Sequence, residues 1–386
     1  MDLNFFKKIR ILDGGMGQEL LRRGLKPKGT LWSANALIDE NYHKLVIDTH
    51  CDFINSGAEV IVTTTFATRR MRLKENGVEN QFEKLNIIAC QLANKAKEKS
   101  KKNILIAGGL PPQNLTYLDD NRDDEKIKMN YYEQAIILDP YIDFFYFDVL
   151  SSMKEFKLGI EAIKEFNKPY LIGIHISEGT KLPSGETITD VINSINTDKI
   201  LGVMLSCVSP ENYLLNINEL QKTGFPFGFK INGFKTTLSN YAEKYSGSQG
   251  NPNKILGIRN DLSNKKIFEF TKKTKDMGAT ILGGCCEIKP SQIREISKIR
   301  NWFINYLISL KLFKKTRPAK KTNIHRAYML SVMLKLSATK PIIVGANNSD
   351  EKPIVVKFVT VVGILSVDCF TACRIIKGTK FAVAKP

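Results

Sequence analysis

Residues 267–286 read IFEFTKKTKDMGATILGGCC. Ile267–Met277 has helical period. Gly278-Ala279 is a turn signal where that helix should end. Ala279–Leu282 is a short apolar run, the signature of a strand buried on both faces. Gly283-Gly284-Cys285-Cys286 then puts two thiols directly after it. Helix, glycine turn, apolar strand and reactive residues at the strand's far end make up one α/β unit.

The same unit recurs in both directions along the chain. Apolar, β-branched runs fall near Ile9–Leu12, Glu59–Thr63, Ile104–Ala107, Phe144–Phe147, Tyr170–Ile174, Gly202–Leu205, Phe227–Ile231 and Ala279–Leu282. Stretches of helical period lie between most of them: Glu40–Ser56, Asn80–Lys99, Met153–Phe166, Pro210–Thr223 and Ile267–Met277. A second helix stop precedes a strand at Gly57-Ala58. About eight alternations imply parallel strands joined by crossover helices. Eight such units close a (β/α)8 TIM barrel. A doubly wound open sheet has the same periodicity and is the alternative. Ser246–Asn253 (SGSQGNPN) reads as a polar loop between the seventh strand and the last helix.

A chain of 386 residues, 43% hydrophobic, suits one barrel of roughly 250–300 residues plus an appendage. The barrel is expected over residues 1–305. Residues 306–386 are a C-terminal extension of unassigned fold. They open with a basic linker, Lys311–Lys321 (KLFKKTRPAKK), and continue as apolar patches without a period. This tail is either a basic interaction arm or extra sequence without function, and the lack of period and motif favours the second.

The net charge of +18 raises nucleic acid as a partner, but its distribution argues against one. Residues 301–386 hold fifteen Lys and Arg against three acids, leaving only +6 for residues 1–300. A mean hydropathy of −0.17 reads as soluble. The longest apolar run, Phe358–Val367, stops at Asp368, short of the ~18 residues of a membrane span. The basic N-terminal residues are followed by no long apolar stretch, so no signal peptide is expected. Seven cysteines without a framework spacing suit a reducing, cytoplasmic setting, where clustered cysteines point to metal or catalysis. The sequence carries no signal for an oligomeric state.

Three thiols stand out: Cys285 and Cys286, and Cys207 at the end of Val203-Met204-Leu205-Ser206-Cys207. Adjacent cysteines rarely bridge each other, whereas two thiolates at one strand end can share a metal. With Cys207 they make a three-sulfur set. Zinc with three protein ligands and an open fourth position is a catalytic arrangement. The plain alternative is three small buried hydrophobes. Other polar residues follow apolar runs: Asp13 in Asp13-Gly14-Gly15-Met16-Gly17, Thr63 to Thr65, Asp148 and Asn232. In a barrel all converge on the C-terminal mouth, where active sites form. The plain alternatives are a helix cap for Asp13 and Asp148 and a turn residue for Asn232. His175 reads as a structural residue. The Asp13–Gly17 glycines do not have the spacing of a phosphate loop.

Across residues 8–300 the chain resembles the homocysteine S-methyltransferase family. The resemblance is carried by LDGGMGQEL (12–20), LWSANALID (31–39), GAEVIVTTTF (57–66), the run ending in Asp148, the Cys207 run with Pro210-Glu211, INGF (231–234) and GGCCEIKP (283–290). It implies that Cys207, Cys285 and Cys286 bind Zn2+ and that the substrate thiolate completes the set. It places Asn232 where a fourth ligand can come from when substrate is absent. Asp13, Gly14, Thr63 and Asp148 fall at positions that hold the amino-acid end of homocysteine. Three departures are visible: Asp148 replaces a usual Glu, Ser206 a usual Asn, and Glu287-Ile288 a common Gly-Thr.

By that resemblance the activity is zinc-dependent methyl transfer to homocysteine, giving methionine. The tail is too short for the modules that deliver methylcobalamin, and it lacks the dimerisation arm of betaine-using relatives. That leaves a sulfonium donor, S-methylmethionine first and S-adenosylmethionine second. Trp32 and Phe66 are the candidate faces for its positive charge. The rival readings are betaine or a cobalamin protein in trans as donor, another thiol or selenol as acceptor, and a non-enzymatic zinc or redox thiol protein.

Overall fold

A computed structural model describes residues 1–237 and 251–300 in full, and the backbone of Lys340–Val344 and Ile354–Phe358. The basic linker Lys311–Lys321, the run Phe358–Val367 beyond its first residue, Cys369, Cys373 and most of the loop Ser246–Asn253 lie outside the described residues. The chain divides into two compact units, Met1–Ile304 and Asn305–Pro386. In the second, Lys340–Val344 pairs antiparallel with Ile354–Phe358.

All eight expected strands form in the first unit. They are β1 (Arg10–Ile11), β2 (Val60–Val62), β3 (Leu105–Leu110), β4 (Phe144–Leu150), β5 (Tyr170–Ile174), β6 (Ile200–Val208), β7 (Phe227–Ile231) and β8 (Ile281–Gly284). Every pairing is parallel, in the order β1-β8-β7-β6-β5-β4-β3-β2. A parallel bridge from Leu12 to Val60 joins the two ends. Backbone hydrogen bonds from Glu59 N to Ile11 O (2.8 Å) and from Asp13 N to Val60 O (3.0 Å) hold that seam. The sheet closes on itself, which excludes the open doubly wound alternative.

Side-chain alternation sorts the strand residues into two cores. Leu12, Val60, Val62, Phe144, Tyr146 and Met204 fill the barrel interior, plugged by Phe6, whose ring meets Phe144 edge-on at 6.0 Å. Ile61, Phe145, Phe147, Val203, Leu205 and Phe229 point outward against the helices. The five expected helices form as His43–Asn55, Phe82–Ser100, Met153–Ala162, Pro210–Lys222 and Asn264–Asp276. Ser152, Ser209 and Ser263 cap three of them by accepting a backbone N–H in the first turn. Gly57 follows His43–Asn55 and Gly278 follows Asn264–Asp276, at φ of +109° and +101°, a region open to glycine at little cost. One long helix escaped the sequence reading. Asp124–Leu138 is capped by Asp123 and buries Ile127, Tyr131, Ala135 and Leu138 at helical spacing, but polar residues between them mask the pattern. No described helix is long and apolar enough to cross a membrane.

Candidate active site

The C-terminal mouth of the barrel holds a cleft floored by Asp13, Asp148, Cys207, Lys230, Cys285 and Cys286. Sequence analysis put Asp148 and Cys207 at strand ends. Both lie inside longer strands, and each sits at a register irregularity, between Phe147 and Leu150 in β4 and between Ser206 and Val208 in β6. The irregularity in β6 decides the site. Val203 and Leu205 face outward, so regular alternation would send Cys207 outward too. Cys207 instead adopts φ +58°, and the bulge turns its sulfur into the cleft. Val149, beside Asp148, is at φ +68°. That conformation is costly for a β-branched residue. Trp32 (+46°), Tyr117 (+69°) and Glu287 (+64°) add three more left-handed residues at or beside this cleft. Strain of this kind persists only where surrounding packing imposes it, and it gathers at functional sites.

The sulfurs of Cys207, Cys285 and Cys286 all lie within 4.8 Å of one another. Tyr117 Oη lies 3.1 Å from Cys207 Sγ. Burial opposes ionisation of the Cys207 thiol. Hydrogen bonds from the Cys285, Cys286 and Tyr117 side chains outweigh it and bring its pKa well below the ordinary thiol value. The hydrogen bond to Cys207, with burial, pushes Cys285 the other way. Cys51 and Cys90 lie elsewhere, buried among the outer helices.

The loop after β1 and the turn after β8 approach so closely that only glycine fits. A Cβ on Gly14 would stand 2.3 Å from Ile288 O, and one on Gly15 would stand 2.6 Å from Cys285 O. Gly14 and Gly15 therefore serve close packing against the cysteine turn, and Gly17 serves it against the Trp32 ring. Glu287 occupies its left-handed position with support from Arg22 Nη2 (3.2 Å) and Asn253 Nδ2 (2.8 Å). Asn253 also bonds Gln18, which accepts from Trp32 Nε1 at 2.8 Å. This chain of contacts ties the rim of the cleft to the cysteine turn.

Asp13 has both oxygens occupied. Oδ2 accepts from Val62 N (2.8 Å) and Oδ1 from Lys230 Nζ (2.6 Å), with both side chains at most 5% exposed. Asp148 differs: its Oδ1 is buried without a hydrogen-bond partner. Burial first, then the nearby Cys285, pushes its carboxyl up to about 7, against the pull of Lys230. The Tyr146 hydroxyl, one layer below, pairs with Ser206 Oγ at 2.6 Å.

Thr63 and Gly14 line the cleft. The Thr63 hydroxyl accepts from Gly109 N at 3.0 Å and pairs with Thr65 Oγ1 at 2.9 Å. Trp32 and Phe66 form the apolar wall, edge to face at 5.9 Å. Asn232 sits beside Cys207, but its Oδ1 accepts from Phe234 N (2.9 Å), and it is Nδ2 that lies 3.8 Å from Cys207 Sγ. His175 is satisfied by Ser206 O (3.1 Å) and Ser177 Oγ (2.9 Å). Sequence reasoning missed Lys230 and Tyr117. A lysine inside the apolar strand FGFKI was a usable signal for the first; Tyr117, in a loop, offered none.

A closed parallel barrel with a thiol cluster at its C-terminal mouth defines a barrel enzyme whose chemistry centres on sulfur. The family model described as homocysteine S-methyltransferase matches residues 10–300, and the chain belongs to that family. It is a methyltransferase. Homocysteine S-methyltransferase 2 of Saccharomyces cerevisiae is 24% identical, over 75% of this chain and 94% of its own. The S-methylmethionine–homocysteine S-methyltransferase BHMT2 of Pongo abelii is 26% identical, over 75% of this chain and 78% of its own. The metallated homocysteine methyltransferase MmuM of Escherichia coli shares the fold, with a TM-score of 0.63 at 19% identity over 76% and 96% of the two chains.

Proposed function

We propose that this enzyme moves a methyl group onto the thiol of homocysteine, giving methionine, with Zn2+ held by Cys207, Cys285 and Cys286. The reading is carried by three soft donors gathered at the floor of a cleft that also holds Asp148, whose Oδ1 has no hydrogen-bond partner. The donor set suits zinc. A tetrahedron with Zn–S bonds of ~2.3 Å has sulfur–sulfur edges of about 3.8 Å, inside the observed limit. When bound, zinc lowers the pKa of a coordinated thiol so that it is a thiolate at neutral pH. Asn232 serves as a fourth ligand only if its amide turns, because its oxygen is engaged with Phe234.

The residues of the chain supply orientation. Asp148 receives the acceptor's ammonium, and Gly14 and Thr63 border the same end. Tyr117 steadies the Cys207 sulfur. The acceptor sulfur attacks the donor methyl carbon in line. The carbon–sulfonium bond breaks with its electron pair passing to the donor sulfur, which leaves as a neutral thioether. We take S-methylmethionine as first donor and S-adenosylmethionine as second. Trp32 is the better aromatic face for the cation, since the Arg69 guanidinium already lies 5.3 Å from the centre of the Phe66 ring. The name of the Pongo relative supports this donor.

The test is the zinc-loaded protein with homocysteine and S-methylmethionine, without cobalamin, folate or a second protein. Methionine should form. Activity only with betaine, or only with an added cobalamin protein, rejects the donor. No methionine from any donor rejects the reaction. Asp148→Asn should raise KM for homocysteine by about 10- to 100-fold, the worth of a charge-assisted hydrogen bond of ~1.5–3 kcal/mol; an unchanged KM makes Asp148 structural.

A further inference from the structure

Lys230 is the feature of the cleft floor that the proposed reaction does not yet use. It stands on β7, its ammonium buried, facing Asp13 Oδ1 at 2.6 Å and the Tyr146 ring at 5.9 Å from its centre. Both Asp13 and Asp148 hold it in the charged form, and burial opposes them. A lysine ammonium has three N–H donors. Among the described residues, Asp13 Oδ1 is the one acceptor it reaches, while the side chain borders the cleft.

The charges are unequal in their commitments. Asp13 has one bond on each oxygen, from Val62 N and from Lys230. Asp148 has an oxygen with no partner. The floor therefore offers one open acceptor, on the Asp148 carboxylate of β4, and one ammonium with donors to spare, on Lys230 of β7, with β5 and β6 between the two strands and both side chains lining the same cleft. That pattern is complementary to a zwitterion, with the cationic end at Asp148 and the anionic end at Lys230.

We infer that Lys230 is a specificity-determining residue that binds the carboxylate of the acceptor thiol, leaving its ammonium to Asp148 alone. This rests on the reading of homocysteine as acceptor. Asp13 becomes a positioning residue that aims Lys230, and substrate recognition shifts from a pair of acids to an acid and a base. A thiol without a carboxylate loses the Lys230 contact, and the lysine's spare donors then lie buried without acceptors, which is where discrimination comes from.

The test pairs two thiols with three proteins. The thiols are homocysteine and 3-aminopropane-1-thiol, which is homocysteine without its carboxylate. The proteins are the zinc-loaded wild type, Lys230→Met, and Asp13→Asn/Lys230→Met. The double variant covers the case in which an uncompensated buried Asp13 prevents the single variant from folding. Dissociation constants come from calorimetry, and kcat/KM from thioether formation. Wild type should bind homocysteine at least about 10-fold tighter than the aminothiol. In the variants that preference should collapse to within about threefold, with the aminothiol itself nearly unaffected. A preference that survives in the folded variants, or a parallel loss for both thiols, overturns the inference and leaves Lys230 a packing partner of Asp13. Wild type that methylates both thiols equally also overturns it while the proposed reaction stands. Wild type that neither binds nor methylates either thiol removes both.

Discussion

Tyr117 Oη lies 3.1 Å from Cys207 Sγ, while the Tyr117 ring stacks on His175 with centroids 4.4 Å apart. The phenol is held by its ring and turns its hydroxyl to the sulfur.

Tyr117→Phe should therefore leave the stack in place and remove one hydrogen bond from the sulfur. The expected loss is ~1–1.5 kcal/mol of zinc affinity, about tenfold, in the range of other groups that support metal ligands from behind. Competition with a chromophoric chelator reads it. Equal affinity in both proteins would mean that the contact contributes nothing to metal binding.

The three clustered thiols should act as a set. Changing Cys207, Cys285 or Cys286 to Ala should abolish stoichiometric zinc, measured by atomic emission on dialysed protein. Cys51→Ala and Cys90→Ala should keep about one zinc per chain. Their cost is a small cavity among the outer helices, ~1 kcal/mol seen as a lower Tm. Full occupancy in Cys285→Ala/Cys286→Ala would dismiss the assignment.

Acid should destabilise the barrel through its buried histidines. His50 is fully buried, with Thr64 Oγ1 3.4 Å from its Nε2, and burial lowers its pKa from 6.5 to about 3. The unfolded chain takes up a proton below pH 6.5 that the folded one refuses. The stabilisation is thus complete above 6.5 and is lost as pH falls toward 3. At pH 5 the loss is ~2 kcal/mol for this one residue. His175, lowered to about 4 mainly by burial, adds a second loss of the same sign. Urea melts of wild type and His50→Gln at pH 7 and pH 5 measure it. The variant should lose ~2 kcal/mol less between the two, and identical losses would refute the account.

The C-terminal extension should be separable. All eight strands and the cleft floor lie within Met1–Ile304. We propose that a chain ending at Ile304 folds, binds zinc and turns over. Circular dichroism, zinc content and activity check this. Insoluble or inactive protein, where the full chain works, would make the tail part of the enzyme.

The strands were legible because β2, β5, β6 and β7 are buried on both faces and so read as plain apolar runs. Their lengths were not. The sequence of β6 shows a strand stopping near Leu205, because nothing in Ser206-Cys207-Val208 announces a bulge that carries pairing on to Val208. The inward turn of Cys207 depends on that bulge, so the thiol's place was readable only through its company with Cys285 and Cys286. The carboxylates illustrate a different limit. Asp13 and Asp148 look alike as acids after apolar runs. Their difference lies in Lys230, 217 residues from Asp13 in the chain and 2.6 Å from it in space. Glu287 shows how a departure from a common glycine is tolerated: Arg22 and Asn253 hold it from two distant segments.

The seam between β1 and β2 is the barrel's thinnest, a single bridge from Leu12 to Val60, and Asp13 extends it by clasping Val62 N. The same carboxylate thus fastens the wall and anchors Lys230. Drift in acceptor preference has unequal room on the two sides of the cleft. On the proposed reading, replacing Asp148 on β4 changes recognition, whereas replacing Asp13 also removes the clasp on Val62 N. New specificities in barrels of this build should accordingly accumulate on the β4 side, with the β1 acid inherited unchanged as a hinge pin of the architecture.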